Sequence, residues 1–358
     1  MRIFSSAAFF LVVFCATVIT LGCLSYNYGI GAVSDKTENV EFSIESGSTY
    51  LSIAPLLKEK NLIRSEVFYK IYVKIFEPTN LQAGTYLLNE SMGVKQIIEA
   101  LEKGNSGNPD AINVTFKEGL NMRGVAKVIS EKTNNTYESV FELLKDSNYI
   151  DRLINNYWFL TADIKNKDIY YPLEGYLFPN TYNIDKDDSV EDIFKIMLDE
   201  TKKQLEPFRT KIESSKYTIH ELITLASIIE LEAGNANDRN GVAGVFFNRL
   251  DGGWTLGSDV TTYYAEKKEL WVEDLTTAEI EDCNAYNTRG TCFSGLPVGP
   301  IANPGIESIS AVFNPTSHNY YYFVADKNGK TYFNVNSTGH YNTIAKLKSE
   351  GLWFEYQN

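Results

Sequence analysis

The amino-terminal stretch most constrains the architecture of this chain. Residues 3–34 contain no charged side chain, and residues 3–24 are long enough to cross a bilayer as one helix. Arg2 precedes this segment, whereas the first acids, Asp35 and Glu38, follow it. This weak charge asymmetry predicts a single crossing with the amino terminus in the cytoplasm and the rest of the chain outside.

A cleaved signal peptide and a lipid anchor on Cys23 are the alternatives for this stretch. The apolar run is longer than a typical signal core and lacks a clear small-residue cleavage pattern. Thr20 stands where a lipid-attachment motif usually has Leu. We therefore expect a cytoplasmic tip and membrane helix over residues 1–30, followed by a linker over residues 31–40.

Length and charge narrow the function classes. At 358 residues the chain exceeds the usual size of one domain, which predicts two folded units besides the membrane segment. The net charge of −13 argues against nucleic acid and anionic lipid as polyvalent partners. The three histidines show no ligand spacing with the cysteines, so we expect no metal. Cys283 and Cys292 form either a disulfide in an exported domain or two reduced thiols.

The pattern after the linker predicts small β–α units. Residues 41–44 alternate as a strand and precede a helical stripe at Ile53, Leu56 and Leu57. The same order recurs at residues 113–116 and 125–129, with a boundary predicted at residues 106–109. Between the two copies we predict a strand at residues 81–87 and a helix at 94–101. This first unit suits a binding module or a structural spacer equally well.

Aromatic residues are concentrated between residues 157 and 182. Rings with polar tips on Pro- and Gly-containing turns suit sugar stacking as well as a packed core, and the core is the commoner use. An amphipathic helix follows, which Ser189 begins and which ends before Pro207.

Two acids at the end of an apolar helix are the most informative chemical feature. Thr218 and Glu221 form a capping box that opens this helix, and Gly234 is a natural stop, so Glu230 and Glu232 fall in the last turn. There they oppose the helix macrodipole, and a carboxyl group in apolar surroundings has a raised pKa. At ~100° per residue the two acids flank the apolar stripe, so periodicity does not choose between them.

Motifs across most of the chain identify a family. In order, they are residues 174–179 (EGYLFP), 225–233 (LASIIELEA), 242–250 (VAGVFFNRL), 256–259 (LGSD), 285–288 (AYNT), 295–305 (GLPVGPIANPG) and 322–326 (YFVAD). Together they resemble the endolytic murein transglycosylases of the YceG-like family, and residues 83–86 (AGTY) resemble its LysM-like subdomain. The resemblance implies an α+β fold with a single amino-terminal transmembrane helix, a small LysM-like α/β subdomain over residues 41–108, and a mixed α+β catalytic domain over residues 109–358.

The resemblance also implies an activity. Members cleave the β-1,4 bond between N-acetylmuramic acid and N-acetylglucosamine inside glycan strands, and their catalytic acid matches Glu232. An acid kept protonated by apolar surroundings could protonate the glycosidic oxygen, after which its carboxylate would serve as base for the muramic 6-hydroxyl. The product would be a 1,6-anhydro end. A muramidase hydrolase, or an inactive murein-binding scaffold, is the alternative.

Other residues are candidates for supporting or substrate-binding roles. They are Glu230, Glu174, Asp259, Tyr286, Asn287 and Asn303, of which the last three are expected to line a cleft because Gly- and Pro-rich loops surround them. Asn248 and Arg249 instead suit anchoring of the fold. Asn180, Val260 and His340 depart from the family pattern, which leaves Asn180 and His340 without an implied role.

The resemblance implies peptidoglycan strands as the substrate, no cofactor, and cell-wall synthases with division or elongation proteins as partners. It places the protein in the bacterial cell membrane, with the catalytic domain extracellular or periplasmic. Because murein is itself anionic, affinity should come from aromatic and hydrogen-bond contacts and not from charge.

Overall fold

The structure, a computed structural model, describes residues 2–44, 48–79, 81, 84–102, 111–233, 235–270 and 272–353. The chain divides into two compact units, one of Met1–Asn113 with Asn183–Asp185 and one of Val114–Tyr182 with Lys186–Asn358. Helices predominate, and the strands of the described residues pair into three two-stranded sheets. The predicted mixed α+β class is confirmed. The boundary predicted at residues 106–109 lies outside the described residues.

The first unit packs helices against one antiparallel pair of strands. Its elements are α1 (Arg2–Ile30), β1 (Asn39–Ile44), α2 (Ala54–Glu59), α3 (Glu66–Phe76), β2 (Gly84–Asn89) and α4 (Val94–Glu102). β1 and β2 are antiparallel with Phe42 opposite Tyr86, and both rings are buried. Alternation directs every second side chain of β1 into this core, as the sequence predicts. Gln82 and Ala83, in the predicted strand and family motif, lie outside the described residues.

The expected membrane segment falls on α1. The side chains of residues 1–12, 15, 19 and 23 lie outside the described part of the structure. Among the side chains that are described, no helix combines the length and the apolar character needed to cross a bilayer. At its carboxyl-terminal end α1 packs on α3, where the Tyr26 and Phe68 rings meet edge to face at 5.9 Å.

The second unit is built around one buried helix. Two short strands, β3 (Ile112–Thr115) and β4 (Thr181–Ile184), each have residues in both units. The other elements of the second unit are α5 (Met122–Lys132), α6 (Tyr137–Lys145), α7 (Ser147–Asn156), α8 (Val190–Leu205), α9 (Arg209–Glu213), α10 (Ile219–Glu232), α11 (Arg239–Asp251), α12 (Asp259–Ala265), α13 (Thr277–Glu281), α14 (Ile306–Phe313), β5 (Tyr322–Ala325), β6 (Thr331–Asn334) and α15 (Ser337–Ser349). Helix α10 contacts α11, α12 and α14. Because it is apolar around most of its circumference, it can only be stable when surrounded.

The start of α10 follows the predicted chemistry. Thr218 Oγ1 accepts a hydrogen bond from the Glu221 backbone N–H at 3.2 Å, and Glu221 Oε2 accepts one from Thr218 N–H at 2.7 Å. This capping box satisfies two of the free N–H groups at the helix start. The helix ends at Glu232 as predicted, with Ala233 as its C-cap, while Gly234 lies outside the described residues.

Most of the clustered aromatic residues pack in the core. Tyr157, Phe159, Tyr176, Phe178 and Tyr182 are all buried, so their main use is packing and not sugar stacking. Helix α8 follows with Ser189 as its N-cap, as predicted. The structure also decides between the two alternatives for the cysteines, because Cys283 and Cys292 are joined in a disulfide.

Candidate active site

Glu232 occupies the last turn of α10 with its carboxyl group enclosed. The residue as a whole is half-buried, yet burial is the largest influence on its carboxyl group and raises its pKa to about 7. Asp259 raises the pKa further, whereas a hydrogen bond from Ser258 and the positive charges of Arg249 and Arg289 lower it. The result is an acid that is substantially protonated at neutral pH, which is what a general acid requires.

Ser258 is the hydrogen-bond partner of that acid. Its Oγ donates to Glu232 Oε1 at 2.6 Å from a position that is almost completely buried. Thr288 and Thr261 hold it there, because the Ser258 N–H donates to Thr288 Oγ1 at 3.0 Å and the Ser258 carbonyl accepts from Thr261 Oγ1 at 2.7 Å. One carboxyl oxygen is thus committed to the protein, and Oε2 is left as the oxygen for proton exchange.

Asp259 is beside the acid without touching it. Its Oδ1 forms an ion pair with Arg289 Nη1 at 2.8 Å, and its side chain is half exposed. It acts on Glu232 only through its charge. Within the LGSD motif the sequence drew attention to the acid, whereas the residue in contact with Glu232 is the neighbouring Ser258. A serine directly before an acidic residue is too common to be recognised from one sequence.

Arg249 combines a structural and an electrostatic role. Its Nε donates to the Tyr321 carbonyl at 2.7 Å and its Nη1 donates to the Leu256 carbonyl. These bonds fix the guanidinium, whose charge favours the ionised form of Glu232. The neighbouring Asn248 anchors the fold, as expected, because its Nδ2 donates to the carbonyls of His318 at 2.9 Å and Tyr320 at 2.8 Å.

Glu230 is fully engaged in holding three helices together. Its Oε1 pairs with Arg239 Nη2 at 3.0 Å at the start of α11. Its Oε2 accepts hydrogen bonds from the Gly305 N–H at 3.0 Å and from Ser308 Oγ at 2.7 Å, at the start of α14. A carboxylate at a helix amino terminus is favoured by the free N–H groups and the dipole there. With both oxygens occupied, Glu230 supports the fold and is not placed for proton transfer.

Glu174 is a second buried acid with a different purpose. Its Oε2 accepts hydrogen bonds from the Met122 N–H at 2.9 Å and from the Tyr264 hydroxyl at 2.8 Å. Burial raises its pKa to about 7, against the lowering effect of these bonds and of Arg123. Glu174 therefore joins the start of α5 to α12 inside the protein, and no part of it faces a cleft.

The three residues expected to line a cleft are instead buried in the framework behind the site. Tyr286 accepts a hydrogen bond from the Tyr170 N–H at 3.2 Å, and Asn287 Nδ2 donates to the Asp282 carbonyl at 2.8 Å. Asn303 links two segments, since its Oδ1 accepts from the Leu177 N–H and its Nδ2 donates to the Leu120 carbonyl, both at 2.9 Å. Their loops need side chains that satisfy buried backbone groups, which the Gly- and Pro-rich pattern alone does not distinguish from exposure.

A groove of about 720 Å³ lies at the opposite end of α10 from Glu232. Its walls include Thr218, His220, Glu221, Leu296 and Val298, and none of the predicted site residues lines it. Within the described ranges, no cluster of three or more His, Cys, Asp or Glu side chains is arranged to hold a metal ion.

An enclosed carboxylic acid of near-neutral pKa, with one oxygen bonded by a serine, is the candidate acid–base site of this mixed α+β domain. The chain belongs to the YceG-like family, whose family model matches residues 42–346.

Two similar proteins carry the name endolytic murein transglycosylase. The protein of Bacillus subtilis (strain 168) is 37% identical over 301 residues, which cover 84% of this chain and 82% of the relative. That of Streptococcus pneumoniae serotype 2 (strain D39 / NCTC 7466) is 29% identical over 352 residues, which cover 93% of this chain and 64% of the relative. A crystal structure of a yceG-like protein from Listeria monocytogenes is similar with a TM-score of 0.61 and 32% identity, over 86% of this chain and 100% of that one.

Proposed function

We propose that this protein is an endolytic peptidoglycan lytic transglycosylase, which cleaves the β-1,4 bond between N-acetylmuramic acid and N-acetylglucosamine within glycan strands. Family membership and the names of the relatives support the substrate and the reaction. The observation that carries the chemistry is the Glu232 carboxyl group, with a pKa of about 7 and one oxygen bonded to Ser258. Such a group can give up a proton and take one back near neutral pH.

One residue then serves both halves of the reaction. Protonated Glu232 donates its proton to the glycosidic oxygen as the bond from that oxygen to C1 of the muramic acid breaks. The resulting Glu232 carboxylate accepts the proton of the muramic 6-hydroxyl group while the oxygen of that 6-hydroxyl bonds to C1. The ring closes as 1,6-anhydro-muramic acid, and Glu232 is again protonated. Arg249 and Arg289 favour the transient carboxylate through their charge.

The acids around Glu232 favour this route over hydrolysis. A glycoside hydrolase uses a second carboxylate to activate water or to trap the sugar. Both oxygens of Glu230 are bonded to Arg239, Gly305 and Ser308, and Asp259 is paired with Arg289. Neither is an unengaged base, whereas internal attack by the 6-hydroxyl needs no water and no second acid.

Product analysis tests the proposal. Purified peptidoglycan is digested with the full chain, and the type of end on the released glycan fragments is identified by mass spectrometry. We expect new 1,6-anhydro ends that arise from cuts within long strands. Reducing ends would instead indicate a hydrolase, and the absence of new ends an inactive scaffold that only binds.

Replacement of the acid tests the residue assignment. Glu232→Gln keeps the size of the side chain and can still accept the Ser258 hydrogen bond, but it cannot donate an acidic proton, so cleavage should be lost while the fold persists. Glu281→Gln, an exposed acid of the same unit, is the matched control and should cleave as the unaltered protein does. Substantial cleavage by a folded Glu232→Gln protein would overturn the assignment.

Anchoring in the cell membrane belongs to the same proposal. It is supported by the absence of charge over residues 3–34. An enzyme anchored in this way acts outside the cytoplasm beside nascent strands, and the resemblance to the family supports cell-wall synthases and division or elongation proteins as its neighbours. The LysM-like nature of residues 41–108 is supported by the AGTY motif. Fractionation of cells that express the chain with and without residues 1–30 tests the anchor: the full chain should sediment with membranes, and the shortened chain should not.

A further inference from the structure

Five aromatic rings form a continuous row on the second unit. In spatial order they are Tyr321, Trp254, Tyr322, His340 and Tyr341, which we call the aromatic strip. Successive ring centroids lie 5.0, 6.1, 5.4 and 5.8 Å apart. These distances are those of rings in contact, so the five rings form a continuous series of aromatic contacts.

Three separate segments contribute to the strip. Trp254 follows the end of α11, where Gly253 takes a left-handed φ of 69° and the Trp254 N–H donates to the Arg249 carbonyl at 2.9 Å. Tyr322 begins β5, and His340 lies in α15. Helix α15 packs on both strands of the β5–β6 pair, and β5 in turn packs on α11. This packing brings the rings together although they are far apart in the sequence.

One arginine connects the strip to the surroundings of Glu232. The Arg249 guanidinium lies 5.4 Å from the centroid of the Tyr322 ring, and its Nε donates to the Tyr321 carbonyl. The same guanidinium lowers the pKa of Glu232 and that of His340 by its charge. Arg249 is thus the neighbour shared by the acid and the strip, so a polymer bound across Glu232 would run onto these rings.

The strip carries exposed area and an unpartnered polar atom. Trp254 is 43% exposed and Tyr341 is 68% exposed, unlike the core aromatic residues of this unit. The Nδ1 atom of His340 is buried and has no hydrogen-bond partner within the described residues. Burial and the charge of Arg249 lower the pKa of this imidazole, which favours its neutral form.

We propose that the aromatic strip is a glycan-binding subsite, on which sugar rings of the strand stack beyond the bond that Glu232 cleaves. This inference rests on the proposed function. The apolar faces of sugar rings suit flat aromatic surfaces, and their hydroxyl groups suit the polar tips of Trp, Tyr and His. A net charge of −13 disfavours attraction of anionic murein by charge, so uncharged stacking supplies the affinity. The strip thereby helps to make the enzyme prefer long strands over short ends.

Binding of peptide-free glycan strands tests the subsite. The strands are prepared by amidase treatment of peptidoglycan and titrated into the full chain carrying Glu232→Gln, which cannot consume them. Adding Trp254→Ala should weaken binding about fivefold to tenfold, and Tyr341→Ala should weaken it by a smaller factor. Trp254→Phe should restore most of the affinity, and 0.5 M NaCl should not weaken binding, because salt does not screen stacking and does screen the repulsion between the muramic acid carboxylates and a protein of net charge −13.

Trp158→Ala is the matched control. Trp158 lies elsewhere on the same unit and packs against the Arg209 guanidinium at 4.9 Å, so its loss should leave glycan binding unchanged. In the active protein, Trp254→Ala should raise KM for long strands with kcat retained. Equal binding and equal KM for the Trp254→Ala and Trp158→Ala proteins would overturn the subsite. That failure differs from failure of the proposed function, which would show as absence of anhydro ends from the unaltered protein.

Discussion

Removal of the Ser258 hydroxyl should shift the pH dependence of cleavage in a defined direction. Ser258 Oγ donates to Glu232 Oε1 at 2.6 Å, and this bond favours the ionised carboxylate. A hydrogen bond to a charged group contributes about 1.5–3 kcal/mol, part of which the protonated acid also receives. Since 1.36 kcal/mol corresponds to one pKa unit, Ser258→Ala should raise the pKa of Glu232 above its value of about 7 by roughly one unit.

The sign of the effect on activity follows from the role of the acid. The free enzyme must hold Glu232 protonated, so kcat/KM falls as the pH rises through the pKa of Glu232. In the Ser258→Ala protein that fall should occur about one pH unit higher. At low pH, where both proteins are protonated, the variant should be slower, because the carboxyl group has lost the bond that orients it.

The assay is kcat/KM for release of anhydro ends, measured between pH 5 and pH 9. Ser310→Ala is the control, because within the described residues the Ser310 hydroxyl accepts a hydrogen bond from Asn314 Nδ2 at 3.2 Å, and its loss should leave the profile in place. An alkaline limb that stays where it is, or that moves to lower pH, would refute the assignment of Ser258 as the group that tunes Glu232.

Two further predictions concern stability. Glu230→Ala leaves Arg239 buried without its partner and should lower the free energy of unfolding, measured in urea, by about 3–5 kcal/mol. Glu213→Ala breaks an exposed ion pair with Arg209 and should lower it by less than about 1 kcal/mol. Equal losses would contradict the role of Glu230 in holding α10, α11 and α14 together. In the folded protein the pKa of Glu174 is about 7, whereas the usual value for Glu is 4.5. Between about pH 4.5 and pH 7 the folded state therefore binds a proton at Glu174 that the unfolded state has lost, so the free energy of unfolding falls as the pH rises through that range. Glu174→Gln should flatten this fall in urea titrations, and an unchanged slope would show that Glu174 does not titrate there.

Much of the fold follows from local patterns. The capping box at Thr218 and Glu221, the alternation in β1 and the N-cap of α8 all act within a few residues, so a single sequence predicts them. Prediction was weaker for Tyr286, Asn287 and Asn303, which the loop composition placed at a cleft and the structure buries. Whether a polar side chain on a loop faces solvent or satisfies buried backbone depends on what packs over the loop, and no local pattern records that.

Local patterns are enough to predict that α10 is a capped apolar helix ending in two acids, and the family motifs single out Glu232. Only the tertiary structure distinguishes the roles of the two acids. Glu230 is bonded to residues of α11 and α14, whereas Glu232 accepts a hydrogen bond from Ser258, which precedes α12. The tertiary structure alone assembled the aromatic strip from segments that end α11, begin β5 and lie in α15. The physical reason is one of range: caps and periodicity act between near neighbours in the chain, whereas pKa values and binding surfaces depend on groups that only packing brings together.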